Sequence, residues 1–393
     1  MAETAGAAGR YAAPGFQTRI GLGQLETGGR LPAPSIRSVG TAVAGRSYSQ
    51  SDLLDHFGVC DPKVARLFRS SGIRRRFLTL PAPGPDGRPA EESPGDLRDK
   101  HQRIALDIGS RAIRTCLERA GLASGNVDYL CCVTTTGLLT PGLSALLLRE
   151  MELPPSIQRL DIVGMGCHAA MNALTAARAW CVANPGAVAV VLCAEVCSAA
   201  YVFDSTMRTA VVNSLFGDGA AAVALSQRPA GGAARGWEGG GGPVPHLLSS
   251  AGQVIVSAAD AMRYDWDDRQ GRLSFFLDPQ IPYVIGAHVE EVVDRLLAGA
   301  GLRRSAVRHW LVHGGGKKVV DAVRVNLRLT RHDVRHTTAV LRDYGNLSSG
   351  SVLFAYERLV EEGTVRAGDY GVIMAMGPGS TIETALVRWE EEA

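Results

Sequence analysis

A layered α/β fold made of two similar halves is the class this sequence predicts, on three observations. Short apolar or β-branched runs alternate with helix-period segments along most of the chain. Glycine- and proline-rich breaks separate them. Two passages also rhyme, as an internal duplication would leave them: Phe216-Gly-Asp-Gly219 before one apolar run, and Gly377-Pro-Gly-Ser380 before Thr381 to Leu386.

Residues 1–36 are rich in Ala, Gly and Pro without a period and predict a flexible extension. Order is expected near Ser38, with Val39 to Val43 as the first strand. Asp61 to Arg69 reads as a short helix trailing into Arg74-Arg75-Arg76, and Pro81 to Pro94 as a loop. His101 to Ala120 has Ile104, Ile108, Ala112 and Cys116 at helical spacing, with Gly121 as the stop. Val127 to Thr136 is apolar enough for a strand covered on both faces, and Thr140-Pro141-Gly142 turns the chain into a helix over Leu143 to Glu150. His168 to Trp180 lacks Pro and Gly and ends at Asn184-Pro185-Gly186, so it predicts a buried helix. Ala187 to Glu195 and Ala220 to Leu225 are further strands.

Residues 227–245 carry a glycine run and no apolar period, which predicts a linker between a half over 37–226 and a half over 246–393. Its glycines fit neither a Walker loop nor a GxGxxG turn. The second half repeats the alternation: helix Val289 to Ala298, strand Trp310 to His313, helix Lys318 to Leu327, helix Ser349 to Glu361 and strand Tyr370 to Met376.

Composition narrows the function. At 46% hydrophobic and 20% charged the chain has the balance of a globular enzyme, and a net charge of +2 gives no general reason to expect nucleic acid or a membrane as partner. The eight cysteines sit mainly in apolar runs without a CxxC pair, the usage of a reducing, cytoplasmic protein rather than a disulfide framework or zinc site. The N-terminus lacks the basic start and apolar core of a signal peptide. The longest apolar stretch, Ala187 to Phe203, is interrupted by Glu195 and is short for a membrane span.

Chemistry centres on Asp161-Ile-Val-Gly-Met-Gly-Cys167. A cysteine at the start of a helix meets unpaired N–H groups and the positive end of the helix dipole, which favour its thiolate and can bind an oxyanion. Gly164 and Gly166 fit a sharp turn that leaves room for a substrate. A small buried residue is the alternative reading of Cys167. His313 ends a strand before Gly314-Gly315-Gly316, and Asn346 precedes a helix; a core histidine and a helix cap are their alternatives. His168 diverges from Cys167 by about 100° around a helix and reads as a wall residue. His332 and His336 lack the Glu of HExxH and predict a solvated face. Six cations between Lys63 and Arg76 suit either a phosphate-bearing ligand or a solvated helix face.

Together, Gly166-Cys167 opening a helix, Phe216-Gly-Asp-Gly219, strand-borne His313, Gly345-Asn346-Leu-Ser-Ser349 and Gly377-Pro-Gly resemble the type III polyketide synthases of the thiolase superfamily, over about residues 37 to 390. Leu130-Cys-Cys-Val133, Arg263-Tyr-Asp-Trp266 and Phe275-Phe-Leu-Asp-Pro-Gln-Ile-Pro282 look like a bacterial subgroup rather than the plant chalcone synthases. The resemblance implies a five-layer αβαβα thiolase-like fold and a homodimer in which the loop around Thr140 reaches toward the partner's cavity. It implies Cys167 as acyl carrier with His313 and Asn346 as the other catalytic residues, and Phe216 as a gatekeeping phenylalanine. Lys63 and Arg66 match positions that hold CoA phosphates, whereas a third cationic position of plant members is Ser70 here. Cavity shape near Cys197, Ala200, Phe275, Ser348, Met376 and Gly377 would set chain length and ring closure. The implied reaction is iterative decarboxylative Claisen condensation of malonyl-CoA, four molecules giving eight retained carbons and an aldol-closed aromatic CoA ester, with no cofactor beyond the CoA thioesters. Another starter or a resorcinol-type product, a single-condensation β-ketoacyl synthase, and a catalytically silent CoA-binding scaffold are the alternatives. Thiolase itself needs a second cysteine, which Gly377-Pro-Gly-Ser380 does not offer.

Overall fold

The computed structural model describes residues 33–82, 84, 89–227, 242–268 and 272–391. Most of the expected extension over 1–36 and of the expected linker over 227–245 lies outside them. The strands are β1 (Ser35–Val43), β2 (Arg46–Ser49), β3 (Arg75–Leu78), β4 (Tyr129–Thr134), β5 (Gln158–Val163), β6 (Val188–Glu195), β7 (Gly219–Ser226), β8 (Val244–Val254), β9 (Met262–Asp267), β10 (Arg272–Leu277), β11 (Val307–Val312), β12 (Tyr370–Gly377) and β13 (Thr381–Glu390). The α-helices are α1 (Gln50–His56), α2 (Pro62–Ser70), α3 (Pro94–Arg119), α4 (Leu143–Glu150), α5 (Ala169–Ala183), α6 (Cys197–Ala200), α7 (Met207–Asn213), α8 (Ile281–Ala298), α9 (Lys317–Asn326), α10 (Arg335–Tyr344) and α11 (Ser351–Glu362).

Nine strands join in the order β11-β12-β13-β8-β1-β7-β6-β4-β5. Outward from β1 the pairings run antiparallel to β7, antiparallel to β6, then parallel to β4 and to β5. Outward from β8 they run antiparallel to β13, antiparallel to β12, then parallel to β11. The two series repeat one another, and β1 meets β8 only where Ser35 pairs with His246. The rhyme in the sequence is therefore a repeat in topology.

Strand alternation sorts the core into layers. Cys131, Val133, Val191 and Cys193 face one way and pack with α5 and α11, which also receive Leu311, Ile373 and Val387 from the second half. Leu130, Cys132, Val190 and Leu192 face the other way, onto α3 and α4. In the second half Trp310, Val312, Val372 and Met374 turn outward to α8 and α9. The result is the αβαβα stack, with α5 and α11 as its middle layer. Alanine dominates the buried face of α5 at Ala169, Ala170, Ala173 and Ala177, so the helix fits between two sheet faces.

Several boundaries differ from expectation. β1 starts at Ser35 rather than near Ser38, because Ile36 is buried and the Leu247 N–H donates to the Pro34 carbonyl at 2.8 Å. β8 takes in Val244 and Pro245, which pair with Glu390 and Trp389. α3 extends back to Pro94 through a capping box between Ser93 and Asp96, with proline at its first turn. The end of the basic run is a strand, β3, paired with β2.

Candidate active site

Cys167 follows β5 through a turn in which Gly164 and Gly166 have φ of 78° and 89°. The space at Gly166 does not face a substrate, as the sequence suggested; a Cβ there would meet Pro378 Cδ at 2.2 Å. The same turn presses on Gly377, where a Cβ would lie 2.9 Å from the Cys167 backbone nitrogen and 2.7 Å from His168 Nδ1. Gly166 is thus fixed by the Pro378 ring and Gly377 by the Cys167–His168 segment, and the two rhyming loops meet at the cysteine. His168 takes the N-cap position and α5 begins at Ala169, so the thiol lies just ahead of the helix start.

Asn346 is held by its backbone to the Phe216 segment: its N–H donates to Leu215 O at 2.8 Å and its carbonyl accepts from Gly217 N at 2.9 Å. Its Oδ1 accepts from Ser348 N at 2.8 Å within the turn ahead of α11, whose N-cap is Gly350 rather than Asn346, while among the described residues Nδ2 reaches Gly315 O at 3.5 Å. One amide oxygen therefore shapes the turn and leaves the amino group for the cavity. Ser348 adopts φ 49° and sets its hydroxyl 3.6 Å from the Cys167 sulfur. His313 follows β11, and its N–H donates to Met374 O at 2.8 Å. Its Nδ1 is buried with no hydrogen-bond partner among the described residues.

Cys167, His313 and Asn346 line one cavity of about 520 Å³ together with Phe216, Phe275 and Met376. These six are buried, whereas Leu67, Ser70, Lys317 and Lys318 at the opposite end of the lining are partly or fully exposed. Phe216 packs at 6.2 Å from Phe275 and 4.5 Å from Tyr201, ring centre to ring centre, so the wall is a rigid aromatic cluster. Burial opposes charge here. It pushes the Cys167 thiol up to about 12, against the pull of the Ser348 hydroxyl, and His313 down to about 3, with His168 adding to the same effect. In the substrate-free site burial therefore favours the neutral form of both groups, working against the helix dipole's pull toward a thiolate. His168 is pushed down to about 4 by burial; it is not among the residues lining the cavity, contrary to the expectation of a wall residue.

The other expected pocket residues divide. Ser348 and Gly377 adjoin Cys167, as described. Cys197 lines a neighbouring cavity of about 960 Å³ that shares Phe216 as its wall, and Ala200 packs partly buried in the same apolar cluster as Phe275. Lys63 and Arg66 are exposed on α2, on the helical stripe that reaches the cavity rim at Leu67 and Ser70. Thr140 is exposed and lines neither cavity. His336 is buried and hydrogen-bonds Glu362 at 3.1 Å, so it does not belong to the solvated face expected for it.

Two supporting residues were missed in the sequence. Arg76 is 1% exposed, and its guanidinium donates to Phe216 O at 2.7 Å and Gln50 Oε1 at 2.9 Å, so this member of the basic run is neither solvated nor free for phosphate. Glu195 is fully buried, and burial raises its carboxyl pKa. It accepts from Thr135 N at 2.9 Å, Thr136 Oγ1 at 3.1 Å and Ser349 Oγ at 2.5 Å, tying the end of β4 to the Asn346 turn. The signal for Glu195 was available: a lone acid inside an apolar strand.

Comparison with known proteins bears on the whole chain. Residues 33–229 match the N-terminal domain of chalcone and stilbene synthases, and residues 247–389 match the C-terminal domain. A 3,5-dihydroxyphenylacetyl-CoA synthase of Streptomyces toyocaensis is 62% identical, covering 91% of this chain and 90% of the relative. One from Amycolatopsis balhimycina is 60% identical, covering 89% and 92% respectively. Among solved structures, PKS-I from the brown alga Ectocarpus siliculosus superposes with a TM-score of 0.81 at 25% identity, covering 92% of this chain and 99% of that one.

Proposed function

The chain belongs to the chalcone and stilbene synthase family and is a type III polyketide synthase, an acyltransferase; from that premise we propose that it condenses malonyl-CoA, four molecules per turnover, into 3,5-dihydroxyphenylacetyl-CoA. The relatives bearing that product's name, at 60% and 62% identity across nine-tenths of the chain, support the product. The observation that carries the mechanism is that Cys167, His313 and Asn346 line one cavity.

In this mechanism the Cys167 sulfur attacks the carbonyl of a CoA thioester. The thiol proton passes to neutral His313 and on to the departing CoA thiolate, leaving an acyl group on Cys167. A malonyl-CoA then loses carbon dioxide, and the electron pair of the broken C–C bond forms an enolate. Hydrogen bonds from His313 and the Asn346 amino group to the thioester oxygen stabilise it. The enolate carbon attacks the acyl group, the Cys167 thiolate leaves, and the lengthened chain returns to the sulfur for the next round. No strong base is needed, because decarboxylation itself makes the carbanion. Phe216 supplies an apolar wall that disfavours the carboxylate relative to neutral carbon dioxide. Aldol closure and loss of water then give the aromatic ring. The reaction requires only CoA thioesters, with no metal, flavin or nicotinamide.

The proposed molecule is a homodimer of chains divided at the 227–245 linker, a division supported by family matches that end at 229 and resume at 247. β5 is the last strand of the sheet, with Leu160 37% and Val163 42% exposed and Met165 and Leu138 exposed beside it. Such an apolar edge suits pairing with β5 of a second copy, which would bring the Thr140 loop toward the partner. All eight cysteines are unpaired, which supports a reducing, cytoplasmic setting. No helix among the described residues is long and apolar enough to cross a membrane.

Incubation with malonyl-CoA alone tests the function. Mass spectrometry is expected to show carbon dioxide release and an aromatic CoA ester of the proposed mass. A diketide alone would replace the proposal with single-condensation chemistry, and no consumption with any starter would replace it with a silent CoA-binding protein.

A further inference from the structure

The cavity that holds Cys167 reaches solvent between two walls. Leu67, Ser70 and Ser71, at the end of α2, line one; Lys317 and Lys318, at the start of α9, line the other. Among the described residues, the other charged side chains in the lining are Asp278 and Asp321, each with a neighbour of its own. Asp278 accepts from Gln280 N at 2.7 Å, and Asp321 lies 3.6 Å from Arg324. Among the described residues neither lysine has an ion-pair partner, and both are exposed. Lys317 is directed across the opening. A Cβ built on Gly72, two residues beyond the end of α2, would meet its Cδ at 3.6 Å, so its methylenes lie over that turn. On the α2 side, Lys63, Arg66 and Ser70 follow one helical stripe, so this wall has two cations and then a hydroxyl at the rim.

We propose that Lys317 and Lys318 hold phosphate groups of the CoA thioester from the wall opposite Lys63 and Arg66, so that the head of the substrate is clamped from both sides. The proposal rests on the reading of a CoA thioester as substrate. CoA has the chemistry this opening selects: a polyanionic head that can remain solvated among exposed ammonium groups, and a narrow uncharged arm that can pass the aromatic wall to Cys167. The cationic side chains act on the head alone. They therefore set affinity for CoA esters over phosphate-free thioesters without touching the reacting atoms.

Calorimetric titration of CoA and of pantetheine, which lacks the phosphates, onto the wild type and the Lys317→Ala/Lys318→Ala variant tests this. The variant is expected to bind CoA roughly tenfold more weakly, a change of ~1.4 kcal/mol, with pantetheine binding unchanged. The KM for malonyl-CoA should rise with the CoA dissociation constant while kcat holds. Adding Ser70→Lys to the double variant should restore most of the CoA affinity by placing a cation on the facing wall. Unchanged CoA binding in the double variant would overturn the clamp, as would equal losses for CoA and pantetheine. The substrate reading fails separately: wild-type protein that binds CoA through these lysines but leaves malonyl-CoA intact would sink that reading and keep the clamp.

Discussion

At Cys167 and His313 the same desolvation acts on opposite charges, holding the thiol near 12 and the imidazole near 3. Burial favours the neutral form of each, and in the proposed mechanism proton transfer to His313 accompanies attack on the thioester. Cys167→Ala is expected to abolish product, scored by chromatography and mass spectrometry. His313→Gln should lower the decarboxylation rate roughly 10²- to 10³-fold, the cost of losing one donor to the developing oxyanion, with CoA binding retained in calorimetry. All three proposed catalytic residues stand where a periodic run breaks at glycine, which marked them as candidates in the sequence; their joint role came from the family resemblance. Arg76 was not legible there: its basic neighbours imply solvent, and only the tertiary fold shows that its guanidinium holds the Phe216 carbonyl. Arg76→Ala leaves that carbonyl without its donor, and should lower stability to urea by about 3 kcal/mol.

Among the elements, α10 and α11 are tied by charge. Glu362, at the end of α11, is held down at about 2 by hydrogen bonds from Arg335, with Thr364 and His336 contributing after it. A carboxylate whose folded pKa lies below its unfolded value stabilises the fold above the unfolded pKa and loses that contribution as pH falls through the folded one. The stabilisation is thus full above pH 4.5 and lost toward pH 2. Because the Glu362 side chain is 31% exposed, solvent screening limits it to about 1 kcal/mol. Glu362→Gln should therefore flatten the fall in stability between those pH values in denaturation by urea. The end of α3, with its Gly121 stop and clear apolar spacing, was readable in the sequence, as was α4 to the residue from the Thr140-Pro141-Gly142 turn before it. β3 was hidden because Arg75-Arg76-Phe77-Leu78 has no apolar alternation to mark it, and pairing with β2 decides its conformation. The start of α3 was missed for a different reason: Pro94 reads as a breaker unless Ser93 and Asp96 are seen as a capping box.

Over the whole molecule, the sequence showed the duplication as two rhyming loop motifs and a repeated alternation of strands and helices, while the shared strand order appears only in the fold. Each half contributes part of the cavity: Cys167 and Phe216 come from the first, His313, Asn346 and Met376 from the second, so the site exists only when the halves pack. At the outer edge, the β5 proposal predicts sedimentation at twice the chain mass. Leu160→Lys/Val163→Lys should shift the protein toward monomer, and a monomeric wild type would remove that interface. The convergence of residues from both halves on one sulfur is tested most directly by stopping the enzyme during turnover of malonyl-CoA and mapping its peptides by mass spectrometry. An acyl adduct on the Cys167 peptide is the predicted result; product formation with that peptide unmodified, or with the adduct on Cys197, would contradict it.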